Sequence, residues 1–399
     1  MAQAIVKLLL VSLLVTPVFL SACASPFSPE AASPPLSQTL GEYLRDMFQS
    51  QEIILDEDDF LEPVEDPYLS FAQMLNLIPS SHQSDQRITQ RTAEQISEQF
   101  LSIKDKLLLD GLYGKIDMHE HYRAGAEIDE FLKVAGCLGI SKILFLPTGD
   151  APDNRGYKEH QEALLRDIKP QYPDKIIAFC TIYEADPEAA EIFEQCLHEG
   201  AEGLKLLGGH LYHYGEPLNS ANMYKVYQKA AEYEVPVLIH ADIMLIPELK
   251  EQVDQVYSDF PEVTFIHAHY CSTLAGGIHL DQCAELLDKH PNLYIDLSMG
   301  GAIKDFQRYF RQDLATVKDF VLTYQDRILF GSDTVLVRSI ANDFDYLYQR
   351  MRCDIDLQQQ EEYTCSFAEE ADALQPGFNL DKEVLRKLYY ENPKKVLKL

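Results

Sequence analysis

Histidines one residue apart occur twice in the chain, and each pair closes a short apolar run. The first is His119-Glu120-His121, after Lys115-Ile116-Asp117-Met118; the second is His267-Ala268-His269, after Thr264-Phe265-Ile266. On an extended strand, residues i and i+2 share a face, so two imidazoles at that spacing can turn toward one cation. Neutral imidazole suits zinc and other transition metals. The competing reading of one such pair is two surface histidines, or two that hydrogen-bond inside a core. Their company changes the balance. Pro236-Val237-Leu238-Ile239 ends in His240, and Ile328-Leu329-Phe330-Gly331-Ser332 ends in Asp333. Gly203-Leu204-Lys205-Leu206 carries a lysine inside an apolar run. Scattered histidines would not choose the ends of such runs.

The elements that must position these side chains alternate along the chain. Short runs rich in β-branched residues fall at 115–118, 142–147, 176–182, 203–207, 237–240, 264–269, 293–297 and 328–331. Helix-like segments separate them at 127–138, 158–168, 187–199, 221–233, 247–260, 278–289 and 305–324, and an eighth at 382–390 closes the chain. Strict β–α alternation argues for a parallel sheet with helices outside, and eight units fit a (β/α)8 TIM barrel over residues 112–399. The alternative is a doubly wound open sheet, which would carry a Gly-rich phosphate loop after its first strand; none stands there. In a barrel the carboxyl ends of the strands form one mouth. His119, His121, Lys205, His240, His269 and Asp333 would all reach it.

Taken together, Asp117-Met118-His119-Glu120-His121, Gly203-Leu204-Lys205, Pro236–His240, Ile266-His267-Ala268-His269 and Ile328–Asp333 resemble the amidohydrolase superfamily, and most of all its amidohydrolase-2 branch of decarboxylases and lactonases. Glu391-Asn392-Pro393-Lys394-Lys395-Val396-Leu397 resembles the closing helix of that branch. The resemblance implies that His119, His121, His240 and Asp333 ligate a metal. It implies that Asp333 also shuttles a proton, and that His269 is a substrate-polarising, acid–base or second-metal residue. His267 competes with His269 for that role, and His269 lies nearer the strand end. Lys205 is either a carbamate bridging two metals, an anion binder or an interior ion-pair partner. The branch is mostly mononuclear, which implies one divalent cation; three histidines and a carboxylate suit Zn, with Mn, Fe or Co as alternatives.

Arg123 follows the first strand end and either clamps a substrate carboxylate or forms a loop salt bridge. Gly208-Gly209-His210-Leu211-Tyr212-His213-Tyr214 follows the fourth strand, so His210 is a candidate substrate contact. Glu120 should point away from its flanking histidines. The chemistry expected is hydrolysis of an ester, lactone or amide by metal-activated water. The same parts could decarboxylate an aromatic or unsaturated acid. A binding lipoprotein with a structural metal is the reading from a different class.

Outside the barrel, residues 1–22 read as an export signal, with Lys7 before an apolar run. Leu20-Ser21-Ala22-Cys23 resembles a bacterial lipobox, which implies a lipid on Cys23 and, with Ala24 following, an outer-membrane anchor facing the periplasm. Residues 23–38 are a Pro/Ser-rich tether, and 39–111 a helical extension packing on the barrel. Residues 353–376 form an acidic, Gln-rich insertion in which Cys353 and Cys365 could pair; Cys137, Cys180, Cys196 and Cys283 read as buried thiols, and Cys271 as either. With 64 acidic against 34 basic residues and a formal charge of -30, nucleic acid is excluded as a partner and a small-molecule substrate expected.

Overall fold

The computed structural model describes residues 114–274, 277–368 and 373–399. The expected export signal, tether and helical extension lie outside the described residues, and so does Cys23. The barrel expectation holds. Strands β1 (Lys115–Tyr122), β2 (Ile140–Pro147) and β3 (Ile176–Ala178, resuming at Cys180–Thr181) are followed by β4 (Leu204–Gly209), β5 (Val237–Ala241), β6 (Phe265–His267), β7 (Leu293–Asp296) and β8 (Ile328–Leu329). Every neighbouring pair is parallel. The ring closes where Met118 N–H donates to Phe330 O over 2.9 Å and Asp333 N–H to His119 O over 2.7 Å. Across the break at Phe179, its N–H donates to Phe145 O.

Helices α1 (Asp129–Cys137), α2 (Tyr157–Glu162), α3 (Ala189–His198), α4 (Ala221–Glu232), α5 (Glu248–Asp259), α6 (Leu280–Lys289) and α7 (Ile303–Thr323) alternate with the strands. Local signals set their ends: the Ser220 hydroxyl accepts Met223 N–H at the start of α4. An additional helix, α8 (Phe344–Gln359), precedes a two-stranded hairpin of β9 (Glu362–Tyr363) and β10 (Gln375–Pro376), and α9 (Lys382–Arg386) and α10 (Asn392–Leu397) complete the chain. The sequence reading missed α8, because its buried face includes Arg350, Asp354 and Gln358, and polar residues there mask the apolar stripe. The expected insertion therefore starts inside a helix.

Strand alternation divides the core. Ile116, Met118, Leu144, Leu146, Ile177, Phe179, Leu238, Ile266, Tyr294 and Leu329 cluster with Val396 and fill the barrel interior. Residues of the other parity join the helices in the larger cluster. Continuing the interior rows toward the carboxyl ends leads to Thr148, His240 and Asp296, so the apolar floor gives way to a polar upper layer. On β4, Lys205 lies between Leu204 and Leu206, both of which belong to the outer cluster. In β1 the register against β2 shifts between Asp117 and Glu120. That irregularity lets Met118 serve the floor while His119 and His121, of opposite parity, serve the site.

Three disulfides join described residues: Cys180–Cys196, Cys271–Cys283 and Cys353–Cys365. The expected Cys353–Cys365 pair is present, but the reading of Cys180, Cys196 and Cys283 as thiols is corrected. Buried cysteines look alike in sequence; here β3 and α3 bring the Cα atoms of Cys180 and Cys196 to 6.2 Å. No described helix is long and apolar enough to cross a membrane.

Candidate metal centre

His119 and His121 leave β1 side by side, with their Nε2 atoms 3.3 Å apart. Each ring is held from behind. His119 Nδ1–H donates to Asp296 Oδ2 over 2.8 Å, and His121 Nδ1 pairs with Thr148 Oγ1 at 3.0 Å. Holding Nδ1 in this way turns the Nε2 lone pair outward, as a metal ligand requires. Burial lowers the pKa of both rings, with the Lys205 charge adding to the effect on each and His119 also adding to that on His121, so both stay neutral.

Asp333 faces them from the segment after β8. Its Oδ1 lies 3.3 Å from His121 Nε2 and 4.0 Å from His119 Nε2, and it is buried without a hydrogen-bond partner. A buried carboxylate oxygen facing two imidazole lone pairs is an arrangement that a cation satisfies. Ligand atoms about 2.1 Å from one ion stand roughly 3–3.5 Å apart, so this donor set fits a divalent metal. Gly300 makes room: a Cβ there would stand 2.1 Å from Asp333 Oδ2.

His269 completes the cluster from a different backbone. β6 ends at His267, and His269, Tyr270, Cys271 and Ser272 all have φ between +53° and +56°. Four successive left-handed residues store strain of about 1–2 kcal/mol each. His269 N–H donates to Asp296 Oδ1 over 3.1 Å, and its Nδ1–H donates to Ser298 O over 3.0 Å. Its Nε2 lies 3.8 Å from Asp333 Oδ2. His119, His269 and Asp333 together form a group able to hold a metal.

The left-handed turn also explains a correction. His267 is not at the site. Its Nε2–H donates to Ala241 O over 3.0 Å and its Nδ1 accepts the Tyr257 hydroxyl at 3.1 Å. Burial pushes its pKa down to about 4. The i, i+2 rule fails because the strand stops between the two histidines, leaving His267 as a satisfied interior residue against α5.

Lys205 is fully buried, and its Nζ donates to His119 Nε2 over 3.2 Å. Desolvation lowers its pKa to about 8 against the opposing pull of Asp296, Asp333 and Glu184. His240 reaches the mouth with its ring 4.8 Å from that of His269, but its Nε2–H donates to Asp242 Oδ1 over 2.9 Å. His210 lies beside it, ring centroids 4.4 Å apart, and His210, His240 and Asp242 form a second group of donors. Arg123 is engaged by Asp150 over 2.7 Å, the loop salt bridge of the two expected alternatives.

Glu120 points away from the histidines, as expected, into a carboxyl pair. The Ser332 hydroxyl lies 2.6 Å from Asp117 Oδ2 and 2.9 Å from Glu120 Oε2. Burial raises these carboxyls to about 7 and about 8. One hydroxyl proton cannot serve two carboxylates, so one of the pair carries a proton.

This geometry coincides with a sequence match: the amidohydrolase family model covers residues 116–399. The chain belongs to the amidohydrolase family. It is an enzyme of that family built on its (β/α)8 barrel, and the family includes both hydrolases and decarboxylases. A search of curated proteins finds no match. Solved structures similar to it include an uncharacterised TIM-barrel protein from Bordetella bronchiseptica, at 16% identity over 67% of this chain and 81% of that one, TM-score 0.47. Another is a probable 2-pyrone-4,6-dicarboxylic acid hydrolase from Acinetobacter baumannii with citric acid bound, at 13% identity over 72% and 100%, TM-score 0.47. A third is a dihydroxybenzoic acid decarboxylase from a Polaromonas species with bound manganese and 2-nitroresorcinol, at 14% identity over 72% and 97%, TM-score 0.46.

Sequence reasoning missed Asp296, which braces both His119 and His269. Its signal was present in Leu293-Tyr294-Ile295-Asp296: an acid at the end of the seventh run, in the interior row of Tyr294. Thr148 and Ser298 carried no comparable signal.

Proposed function

We propose that this amidohydrolase-family enzyme is a metal-dependent hydrolase acting on an ester, lactone or amide carbonyl at the barrel mouth. The observation that carries this reading is the buried, unpartnered Oδ1 of Asp333 facing the Nε2 atoms of His119 and His121. His119, His121 and Asp333 would hold one divalent cation, and His240 would join them once its Nε2 left Asp242. Zinc suits the set best, with Mn, Fe or Co as alternatives. A cation held by these residues would lower the pKa of water to about 7 and polarise a carbonyl.

The chain's own groups supply the rest. The Asp333 carboxylate accepts a proton from the attacking water and returns it to the leaving group. His269 has its Nδ1–H committed to Ser298 O, so proton exchange is confined to Nε2, which faces the site. When that nitrogen carries a proton, it donates to the oxygen on which charge develops. The Lys205 ammonium, which donates to His119 Nε2, would give up that nitrogen to a cation and remain as positive charge beside it. Leu211, Tyr212, Tyr214 and Leu245 are exposed on the loops after β4 and β5, which favours a substrate with an apolar body resting on that rim.

The test is turnover of 4-nitrophenyl acetate, a γ-lactone and 2,6-dihydroxybenzoate before and after chelation. Chelator-sensitive ester or lactone cleavage supports the reading. Carbon dioxide release from the aromatic acid alone would transfer the same residues to decarboxylation, and bound metal with no turnover would leave a binding protein. We also propose export with a lipid on Cys23 and anchorage in the bacterial outer membrane facing the periplasm. The disulfides among the described residues support an oxidising compartment. The mass of the mature N-terminal peptide tests the lipid; an unmodified Cys23, or one found in a disulfide, overturns it.

A further inference from the structure

Arg350 is buried in α8, 4% exposed, and no step of the reaction above uses it. Its Nη1 pairs with Asp354 one turn along the helix, also buried. Its Nη2 donates to two carbonyls, Gly300 O and Ser332 O, each over 3.0 Å. Those carbonyls belong to the segments after β7 and β8, which enclose Asp333. Gly300 is the residue whose missing Cβ leaves space for Asp333 Oδ2, and Ser332 is the residue before Asp333. Asp333 itself has φ +47°, a left-handed conformation that the surrounding structure must maintain.

The remaining restraints on this segment come from β1. Asp333 N–H donates to His119 O, Ser332 N–H to Asp117 Oδ1 over 3.0 Å and Thr334 N–H to Glu120 Oε2 over 2.9 Å. The strand therefore holds the segment's amide donors, and Arg350 ties its Ser332 carbonyl to Gly300. A planar guanidinium can bridge two fixed carbonyls while its other nitrogen stays paired, which a lysine ammonium at the end of a flexible stem does less well.

We infer that Arg350 is the positioning residue for Asp333: it locks the post-β7 and post-β8 segments together so that the carboxylate stays aimed at His119 and His121. The inference rests on the reading of Asp333 as ligand and proton carrier. It places the functional contribution of α8, outside the eight repeating units, in the fixing of one carboxylate.

The test uses the full chain loaded with cobalt(II), with 4-nitrophenyl acetate as probe substrate. Arg350→Met should lower kcat by about 100-fold with KM within about twofold, as displacement of a reacting group by an ångström does. It should retain its cobalt while shifting the visible d–d bands, because a carboxylate ligand has moved. Arg350→Lys should recover part of the kcat. Arg350→Met leaves Asp354 buried and unpaired, so Arg350→Met/Asp354→Asn is measured beside it to keep a folded comparison, and should show the same loss. Wild-type kcat and cobalt bands in a folded Arg350 variant would overturn the inference, as would a loss confined to thermal stability. Asp333→Asn, assayed in parallel, separates the two readings. If it stays active the proposed mechanism fails, whereas an inactive Asp333→Asn beside a fully active Arg350→Met sinks only the role of Arg350.

Discussion

His119 donates its Nδ1–H to the buried carboxylate of Asp296 over 2.8 Å, and this fixes which nitrogen of the ring faces the mouth. Burial alone would raise the Asp296 carboxyl. The neighbouring imidazoles of His119 and His269 and the Ser298 hydroxyl instead hold it well below the usual range. Asp296 thus stays ionised and keeps His119 in the tautomer a metal needs. Asp296→Asn should weaken divalent-metal affinity about 10- to 100-fold, as loss of such partners does. Competitive titration of the stripped protein with a chromophoric chelator measures it, and unchanged affinity would remove Asp296 from the centre.

Asp333→Asn keeps the shape of the side chain and removes its charge and its proton-accepting capacity. Turnover should fall by about 100- to 10,000-fold, the range for loss of a general acid–base group. The circular dichroism spectrum should stay that of the wild type. Comparable turnover in the two proteins would exclude Asp333 from the chemistry.

Gly300→Ala should reproduce part of that loss without removing a polar atom. The new Cβ would stand 2.1 Å from Asp333 Oδ2, and φ at Gly300 is +50°. One or the other must move, so metal content and turnover should fall together. Retention of both would mean that the carboxylate has room the geometry does not show.

Lys205→Ala separates one metal from two. If Lys205 serves as a charge near a mononuclear centre, the variant keeps one equivalent of metal by elemental analysis. Loss of all metal would favour a bridging lysine.

The Cys180–Cys196 bond closes a 16-residue separation between β3 and α3. Replacing both residues with alanine should cost about 3 kcal/mol if chain entropy dominates. The midpoint of urea unfolding should drop accordingly, with the slope little changed. An unaltered midpoint would mean that the bond does not constrain the unfolded chain.

Much of this protein is legible in its residues. Runs that alternate between strand and helix periods specify the barrel, because each strand must bury one face against the interior and the other against a helix. A histidine or aspartate at the end of such a run is placed at the mouth by the direction of the strand alone. That is why His119, His121, Lys205, His240 and Asp333 could be named from their positions. Two kinds of feature escaped. Where the backbone leaves the strand pattern, as in the left-handed turn that separates His269 from His267, residue spacing no longer reports direction. Where residues meet through packing rather than along one element, spacing has no bearing: Asp296 under His119 and Arg350 across Gly300 and Ser332 are brought together in the closed ring, and Cys180 meets Cys196 where α3 packs on β3. Local period and strand polarity determined which side chains reach the mouth. The tertiary structure decided which of their atoms face one another, since that depends on hydrogen bonds formed after the chain has closed.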